Sequence, residues 1–147
     1  MPGPLLPIAI GIGALAAWLL SGGRKKRSVL FGRKTIGLPL AYHWALKVGD
    51  TWYEIPGTSF SEKGKENKVQ AWPGKTSKSG AECCRKSGST RKTDSEIAEF
   101  NKKYEKDHPT YNLVTDNCQT YVTELFAFLM TDGENEEGIP SKQSPIS

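Results

Sequence analysis

The sequence predicts an α+β protein in which a small antiparallel sheet packs on a helix that begins with a cysteine. Three patterns indicate this class: a β-hairpin over residues 40–55, a helix that begins near Thr93, and a second helix over Cys118–Met130. At 147 residues the chain has room for one domain of ordinary size. Large two-domain enzymes and barrels are therefore excluded.

The hairpin is predicted from alternation and from its turn. Large apolar residues occupy every second position over 42–48, which is the period of a half-buried strand. A two-residue turn with glycine in first place follows at 49–50, and the chain then returns. This turn fixes a register in which Glu54 lies on the same face as His43, one diagonal step away.

Both helices carry recognisable boundaries. Thr93 and Glu96 form a capping box ahead of apolar residues at helical spacing, and His108-Pro109 ends that helix. The second helix begins directly after Asn117 and has one apolar stripe.

The remaining segments are assigned by composition. Residues 24–39 are predicted to be a basic juxtamembrane linker, and 40–131 the folded domain. Within it, 61–90 is rich in Gly, Ser and Lys and is predicted to be a mobile insertion with one short strand near 69–72. Residues 132–147 are predicted to be an acidic, disordered tail.

The N-terminal segment is predicted to be a transmembrane helix. Residues 1–23 carry no charged side chain, and about 20 apolar residues suffice to cross a bilayer core. Trp18 near the far end and the four cations at 24–27 favour a single-pass anchor with the C-terminal domain in the cytosol. A cleaved signal peptide, with a cleavage-like Ala-Leu-Ala at 14–16, and a buried apolar helix are the alternatives.

Charge and cysteine usage exclude several classes. The net charge is +4, but the cations cluster at 24–34 and 62–92 in stretches that look irregular, which does not suit a nucleic-acid reader. Three cysteines, of which two are adjacent, do not form a disulfide framework, and with two histidines they do not provide a zinc site. No metal or cofactor is expected, and a reducing compartment fits best.

One constellation could do chemistry. Cys118 stands at a helix N-terminus, where unpaired N–H groups and the helix dipole stabilise a thiolate. His43 is the natural proton acceptor, and Glu54 could orient its ring. The helix start at Asn117 and Gln119 could hold an oxyanion or support the site. A buried structural cysteine and a structural histidine are the simpler alternative.

Two local motifs resemble known families. HWALKVGD at 43–50 and NCQTYV at 117–122 resemble the histidine box and the Asn-Cys box of lecithin retinol acyltransferase-like proteins. Those proteins belong, with NlpC-like enzymes, to the circularly permuted papain-like cysteine hydrolases. YNLVTDNC at 111–118 is similar to the cysteine motif of the PPPDE peptidases, a related permuted group. In both families the histidine strand precedes the cysteine helix, as it does here.

The resemblance implies a papain-like catalytic domain with Cys118 as nucleophile and His43 as general base. Acyltransferase-type members carry a third polar residue near the end of the return strand, often a second histidine. An ungapped comparison from His43 puts Ile55 at that place, and Glu54 is the nearest polar substitute.

Together these features predict a membrane-anchored thiol hydrolase or acyltransferase acting on ester or amide bonds. Phospholipid acyl chains, with membrane lipid as acyl donor, are the first substrate because an anchored domain meets lipid at high effective concentration. Peptide or isopeptide bonds of a ubiquitin-like protein are the alternative that the PPPDE resemblance implies. A non-catalytic, anchored binding module is the third interpretation.

Overall fold

In the computed structural model, which describes residues 24–35, 42–56, 66–110 and 117–142, six strands form one antiparallel sheet that packs against helices. The strands are β1 (Arg27–Thr35), β2 (Tyr42–Val48), β3 (Thr51–Glu54), β4 (Gln70–Pro73), β5 (Glu82–Thr90) and β6 (Gly133–Asn135). The described helices are α1 (Asp94–Asp107) and α2 (Cys118–Met130). The strand order is β4-β3-β2-β1-β5-β6. The α+β class and the antiparallel sheet are thus confirmed.

The β2–β3 hairpin has the predicted register. Leu46 pairs with Tyr53, and Val48 pairs with Thr51. Gly49, in the first place of the turn, has a φ of 60°, a backbone conformation that glycine adopts without steric cost. The local turn chemistry therefore fixes which side chains of β3 face those of β2.

The two faces of this hairpin are buried against different partners. The face with Trp44 packs against α2, and the Phe31 ring meets the Trp44 ring edge-on at a centroid distance of 5.1 Å. The opposite face holds a smaller cluster of Ala45, Trp52 and Ala81. Because both faces are covered, polar side chains on either face need partners within the protein.

The helices begin and end where the sequence predicts. Thr93 caps α1, and the Thr93–Glu96 capping box is present. The helix ends at the C-cap residue His108. Aromatic side chains join α1 to α2, with the Tyr104 and Tyr121 rings edge-on at 5.1 Å between centroids.

The prediction of a basic linker at 24–39 is wrong for residues 24–35. Its strand, β1, lies inside the sheet, between β2 and β5. Val29 and Phe31 are buried in the middle of the strand, whereas both ends are cationic. The period-2 pattern is too short to be visible in the sequence, because the apolar centre is flanked by Lys and Arg on both sides.

The prediction of a mobile insertion at 61–90 is wrong for residues 66–90, which include two strands. The short strand expected near 69–72 is confirmed as β4, but β5 is a long strand that was not predicted. Its last four residues are all buried, and they are small: Ser87, Gly88, Ser89 and Thr90. A strand that buries small polar residues shows no apolar alternation, which is why composition indicated a loop.

The prediction of a disordered tail at 132–147 is wrong for residues 132–142, the part that the structure describes. β6 pairs with β5, and the backbone N–H of Glu136 donates to the Ser87 carbonyl at 2.8 Å. Ile139 packs against the main core. Hydrogen bonds to the edge of β5, rather than a large apolar surface, order this acidic segment.

A Gly32→Ala variant should be strongly destabilised. A Cβ at Gly32 would lie 2.6 Å from two ring carbons of Trp52 and 2.7 Å from the Glu82 carbonyl oxygen. We expect the free energy of unfolding in urea to fall by about 2–3 kcal/mol, because neither a buried ring nor a backbone carbonyl yields easily. Ser28→Ala, on an exposed position of the same strand, is the control and should stay within about 0.5 kcal/mol of wild type. Equal stability of the two variants would contradict this packing.

The predicted transmembrane helix at 1–23 lies outside the described residues. Among the helices that the structure describes, none is both long and apolar enough to cross a bilayer.

Candidate active site

Cys118 is the first residue of α2, as predicted. Asn117 is the N-cap, and its Oδ1 accepts hydrogen bonds from the backbone N–H groups of Gln119 at 2.9 Å and Thr120 at 3.1 Å. The Gln119 side chain donates from Nε2 to the Tyr42 carbonyl at 3.1 Å. This bond fixes the start of α2 beside the start of β2, and so brings the Cys118 segment next to the strand that carries the histidine.

His43 and Glu54 form a buried pair. Nε2 of His43 lies 2.6 Å from Oε1 of Glu54, and both side chains are 0% exposed. The contact predicted from the hairpin register is therefore confirmed. In the same register, Ile55 belongs to the main apolar core, so the polar partner of the histidine is Glu54.

The segment before β5 completes the environment of Glu54. Ser77 donates from Oγ to Oε1 of Glu54 at 3.1 Å, and the backbone N–H of Ser79 donates to Oε2 at 3.2 Å. Ser77 Oγ also accepts from the Ala81 backbone N–H at 2.9 Å, which closes the segment over the hairpin. A buried carboxylate on a strand requires such donors, and this requirement was the signal that could have indicated them.

Electrostatics favour an ionised pair. Burial alone would lower the pKa of His43, but interactions with the Cys118 thiol and the Glu54 carboxylate outweigh it and raise the pKa to about 9. Burial alone would raise the pKa of Glu54, yet the His43 ring and the Ser79 N–H hold it below its ordinary value. Both shifts favour the ionised forms, an imidazolium beside a carboxylate.

The second ring nitrogen of His43, Nδ1, is not used by the pair with Glu54. Nδ1 is buried, and in the described part of the chain it has no hydrogen-bond partner of good geometry. Cys118 is the neighbouring group with an exchangeable proton, since it interacts with this imidazole strongly enough to raise its pKa. Cys118 is 4% exposed, so the thiol is almost completely covered by the protein.

The helix start offers one backbone donor for an oxyanion. Asn117 and Gln119 were predicted to hold the oxyanion or to support the site, and the structure places both in supporting contacts. The Gln119 backbone N–H is bonded to Asn117 Oδ1, and its side chain is bonded to Tyr42. The N–H of Cys118 itself is the helix-start amide that the Asn117 cap does not use.

The other cysteines are not part of this site. Cys83 and Cys84 are both exposed, on β5, and carry free thiols. Within the described ranges, no group of three or more His, Cys, Asp or Glu side chains is arranged to hold a metal ion.

Comparisons with models of protein families, with curated proteins and with solved structures gave no match to this chain.

Proposed function

We propose that the protein is a cysteine-dependent hydrolase or acyltransferase that uses Cys118, His43 and Glu54 to cleave ester or amide bonds. One observation carries this proposal: the fully buried His43–Glu54 hydrogen bond occupies Nε2 and leaves Nδ1 without a hydrogen bond in the described residues, and Cys118, at a helix N-terminus, interacts with the same imidazole. This arrangement supports roles for Cys118 as nucleophile, His43 as proton carrier and Glu54 as orienting carboxylate, which covalent acyl transfer requires.

The ionisation of the pair suits the first half of the reaction. The Cys118 thiolate attacks the carbonyl carbon and forms a tetrahedral intermediate, whose oxyanion the Cys118 N–H would stabilise. The imidazolium of His43 then gives a proton to the leaving alcohol or amine as the carbon–heteroatom bond breaks. A thioester on Cys118 and a neutral imidazole remain.

The second half regenerates the thiolate. Neutral His43 takes a proton from water, or from an acceptor hydroxyl or amine, while the oxygen or nitrogen attacks the thioester. The carbon–sulfur bond breaks, the acid or the transferred product leaves, and His43 is again an imidazolium. Throughout, Glu54 keeps Nε2 engaged so that Nδ1 exchanges the proton.

A purely structural role for these residues would be energetically wasteful. Burying a carboxylate and an imidazole costs several kcal/mol unless the pair is fully hydrogen-bonded, and an apolar pair of similar size is often more stable. Nδ1 of His43 remains without a good hydrogen bond inside the described domain, which adds a desolvation cost. Such costs are typical of functional sites, which disfavours a non-catalytic binding module.

A permuted papain-like fold is part of the proposal. In support of it, a cysteine helix packs against an antiparallel sheet, and the histidine strand comes earlier in the chain than that helix. The two motifs around His43 and Cys118 also fall on the strand and helix that the resemblance requires.

Phospholipid acyl esters are the proposed first substrate class, with the domain held at the cytosolic face of a membrane by residues 1–23. Effective concentration at the bilayer is the physical reason. Amide or isopeptide bonds of a ubiquitin-like protein are the second class, on the PPPDE-like motif alone. Release of fatty acid from vesicles, compared with cleavage of a ubiquitin-like C-terminal extension, distinguishes them.

Trapping the acyl-enzyme tests the proposal most directly. The chain has three cysteines, so a Cys83→Ser/Cys84→Ser variant keeps Cys118 as its sole thiol. After brief incubation with a p-nitrophenyl ester and acid quenching, intact mass should increase by one acyl group, and neutral hydroxylamine should remove it.

The matched control is the same variant with Cys118→Ala, which should stay unmodified. Acylation of wild type at Cys83 or Cys84, without any adduct in the single-thiol variant, would refute the proposed nucleophile.

A further inference from the structure

The face of the sheet that points away from α2 carries a row of apolar and cationic side chains across four strands. Leu30 on β1 is opposite Lys47 on β2, Lys47 is opposite Trp52 on β3, and Trp52 is opposite Trp72 on β4. Directly opposed residues of antiparallel strands point to the same side of a sheet, so these four side chains share one face. Leu46, the chain neighbour of Lys47, lies in the main core with residues of α2, so the row is on the outer face.

Trp72 is the large apolar side chain that this outer face presents to solvent. It is 43% exposed, and no other large hydrophobic side chain of the described residues is exposed. The neighbouring Trp52 is 0% exposed, because its Nε1 donates to the Gly74 carbonyl at 3.1 Å and Ala81 packs with its ring. An indole has an apolar body and one polar N–H group, so its preferred surroundings are an interface between water and an apolar phase.

The cations around Trp72 are not neutralised by carboxylates of the described residues. Nζ of Lys78 lies 5.5 Å from the centroid of the Trp72 ring, and Nζ of Lys47 lies 5.9 Å from that of Trp52. Ion pairs neutralise other lysines of the described ranges, such as Lys86, but neither Lys47 nor Lys78 forms one there. The outer face therefore combines an exposed indole with uncompensated positive charge, which is complementary to an anionic surface.

The row also lies close in the chain to the uncharged segment 1–23. Leu30 follows residue 23 by seven positions, and an extended chain covers at most about 3.5 Å a residue, so Leu30 is within roughly 25 Å of the end of that segment. If residues 1–23 cross a bilayer, as the proposed function includes, the outer face is within reach of the headgroups of the same membrane.

We propose that the outer face docks on an anionic membrane surface, with Trp72 among the lipid headgroups and Lys47 and Lys78 against the lipid phosphates. This inference rests on the membrane location in the proposed function and goes beyond it by assigning the docking surface. Lysines near an anionic leaflet add to the attraction one by one, and tryptophan is enriched at the headgroup level. Single-stranded nucleic acid fits less well, because stacking platforms use several exposed rings and Trp52 is buried.

Fluorine NMR of the full chain tests contact between Trp72 and lipid. The chain is labelled with 5-fluorotryptophan and placed in nanodiscs that contain a lipid with a gadolinium chelate, and Trp72→Phe assigns the Trp72 signal. Gadolinium at the headgroups accelerates the relaxation of nearby fluorine nuclei. We expect this enhancement at Trp72 to be at least about threefold larger in discs of phosphatidylcholine and phosphatidylserine than in discs of phosphatidylcholine alone.

Two double variants separate the docking surface from general charge. In Lys47→Gln/Lys78→Gln, the enhancement at Trp72 in anionic discs should fall to its value in neutral discs, since two lysines near the surface contribute about tenfold or more to binding. Lys102→Gln/Lys106→Gln is the matched control, because it removes two exposed charges from α1 and should keep the wild-type value. The signal of the buried Trp44 reports whether each variant keeps its fold.

Equal enhancement at Trp72 in neutral and anionic discs, or an unchanged value in Lys47→Gln/Lys78→Gln, overturns the docking surface. A chain that separates from the discs on gel filtration overturns it together with the proposed membrane location. Acyl-enzyme formation at Cys118 is measured without lipid, so its loss is a separate failure of the proposed catalysis. A Trp72 signal that shifts saturably with oligothymidylate, without any enhancement that depends on lipid charge, would assign the face to nucleic acid instead.

Discussion

A His43→Gln variant is expected to acylate Cys118 at least about 10³-fold more slowly than wild type, with the fold retained. Glutamine is similar in size, and its amide can still donate to Glu54, so the buried carboxylate keeps a partner. It cannot carry a proton between thiol and leaving group, however. Stopped-flow release of p-nitrophenol under single-turnover conditions measures the acylation rate.

The control for this variant is the histidine outside the site. His108, at the end of α1, pairs with Glu124 at 3.6 Å and stacks on Tyr104. His108→Gln should change the acylation rate by less than about threefold, an effect of under 1 kcal/mol. Equal rates for His43→Gln and wild type, with unchanged circular dichroism, would remove His43 from the mechanism.

Stability should depend on pH through the His43–Glu54 pair. The pKa of His43 is raised from 6.5 to about 9, so its contribution is fully present below pH 6.5 and is lost as the pH rises through 9. We expect the free energy of unfolding to fall by roughly 2–3 kcal/mol between pH 6.5 and 9.5, since one unit of pKa is worth about 1.4 kcal/mol. Urea unfolding at half-unit pH steps measures this decrease.

At acid pH the free energy of unfolding should change in the opposite direction, rising with pH. The pKa of Glu54 lies below its ordinary value of 4.5, so its contribution is present above pH 4.5 and is lost as the pH falls through the lowered value. His43→Gln should flatten the alkaline decrease, and Cys118→Ala should shift it to lower pH because the thiol helps to raise the pKa of His43. An alkaline decrease of wild-type size in His43→Gln would assign the titration to other groups.

The features that could be predicted from the sequence are those set by residues close together in the chain. A glycine-led two-residue turn at 49–50 sets the hairpin register, and that register is what brings Glu54 to His43. Side-chain caps at Thr93 and Asn117 mark both helix starts within one residue. Each of these signals involves residues close together in the chain, where sequence spacing and geometry are tightly linked.

The two strands that the sequence did not predict, β1 and β5, form only by pairing with strands distant in the chain. β1 has a short apolar centre between cationic ends, and β5 buries Ser, Gly and Thr, so neither shows a period of its own. Each becomes a strand because it pairs with strands distant in the chain, β1 with β2 and β5, and β5 with β1 and β6. For the same reason, the need of a buried Glu54 for hydrogen-bond donors could be anticipated, but a stretch rich in Lys and Gly did not indicate that Ser77 and Ser79 supply them.

The same difference between near and distant partners bears on how the site is assembled during folding. The His43–Glu54 contact joins residues 11 positions apart, whereas the Gln119–Tyr42 bond that brings up the cysteine helix spans 77 positions. Closing the longer loop costs more chain entropy and is slower. The acid–base pair should therefore form early with its hairpin, and the nucleophile should arrive late. During refolding, acyl-enzyme formation at Cys118 would lag behind the recovery of tryptophan fluorescence, so an incompletely folded chain would carry a thiol without its proton carrier.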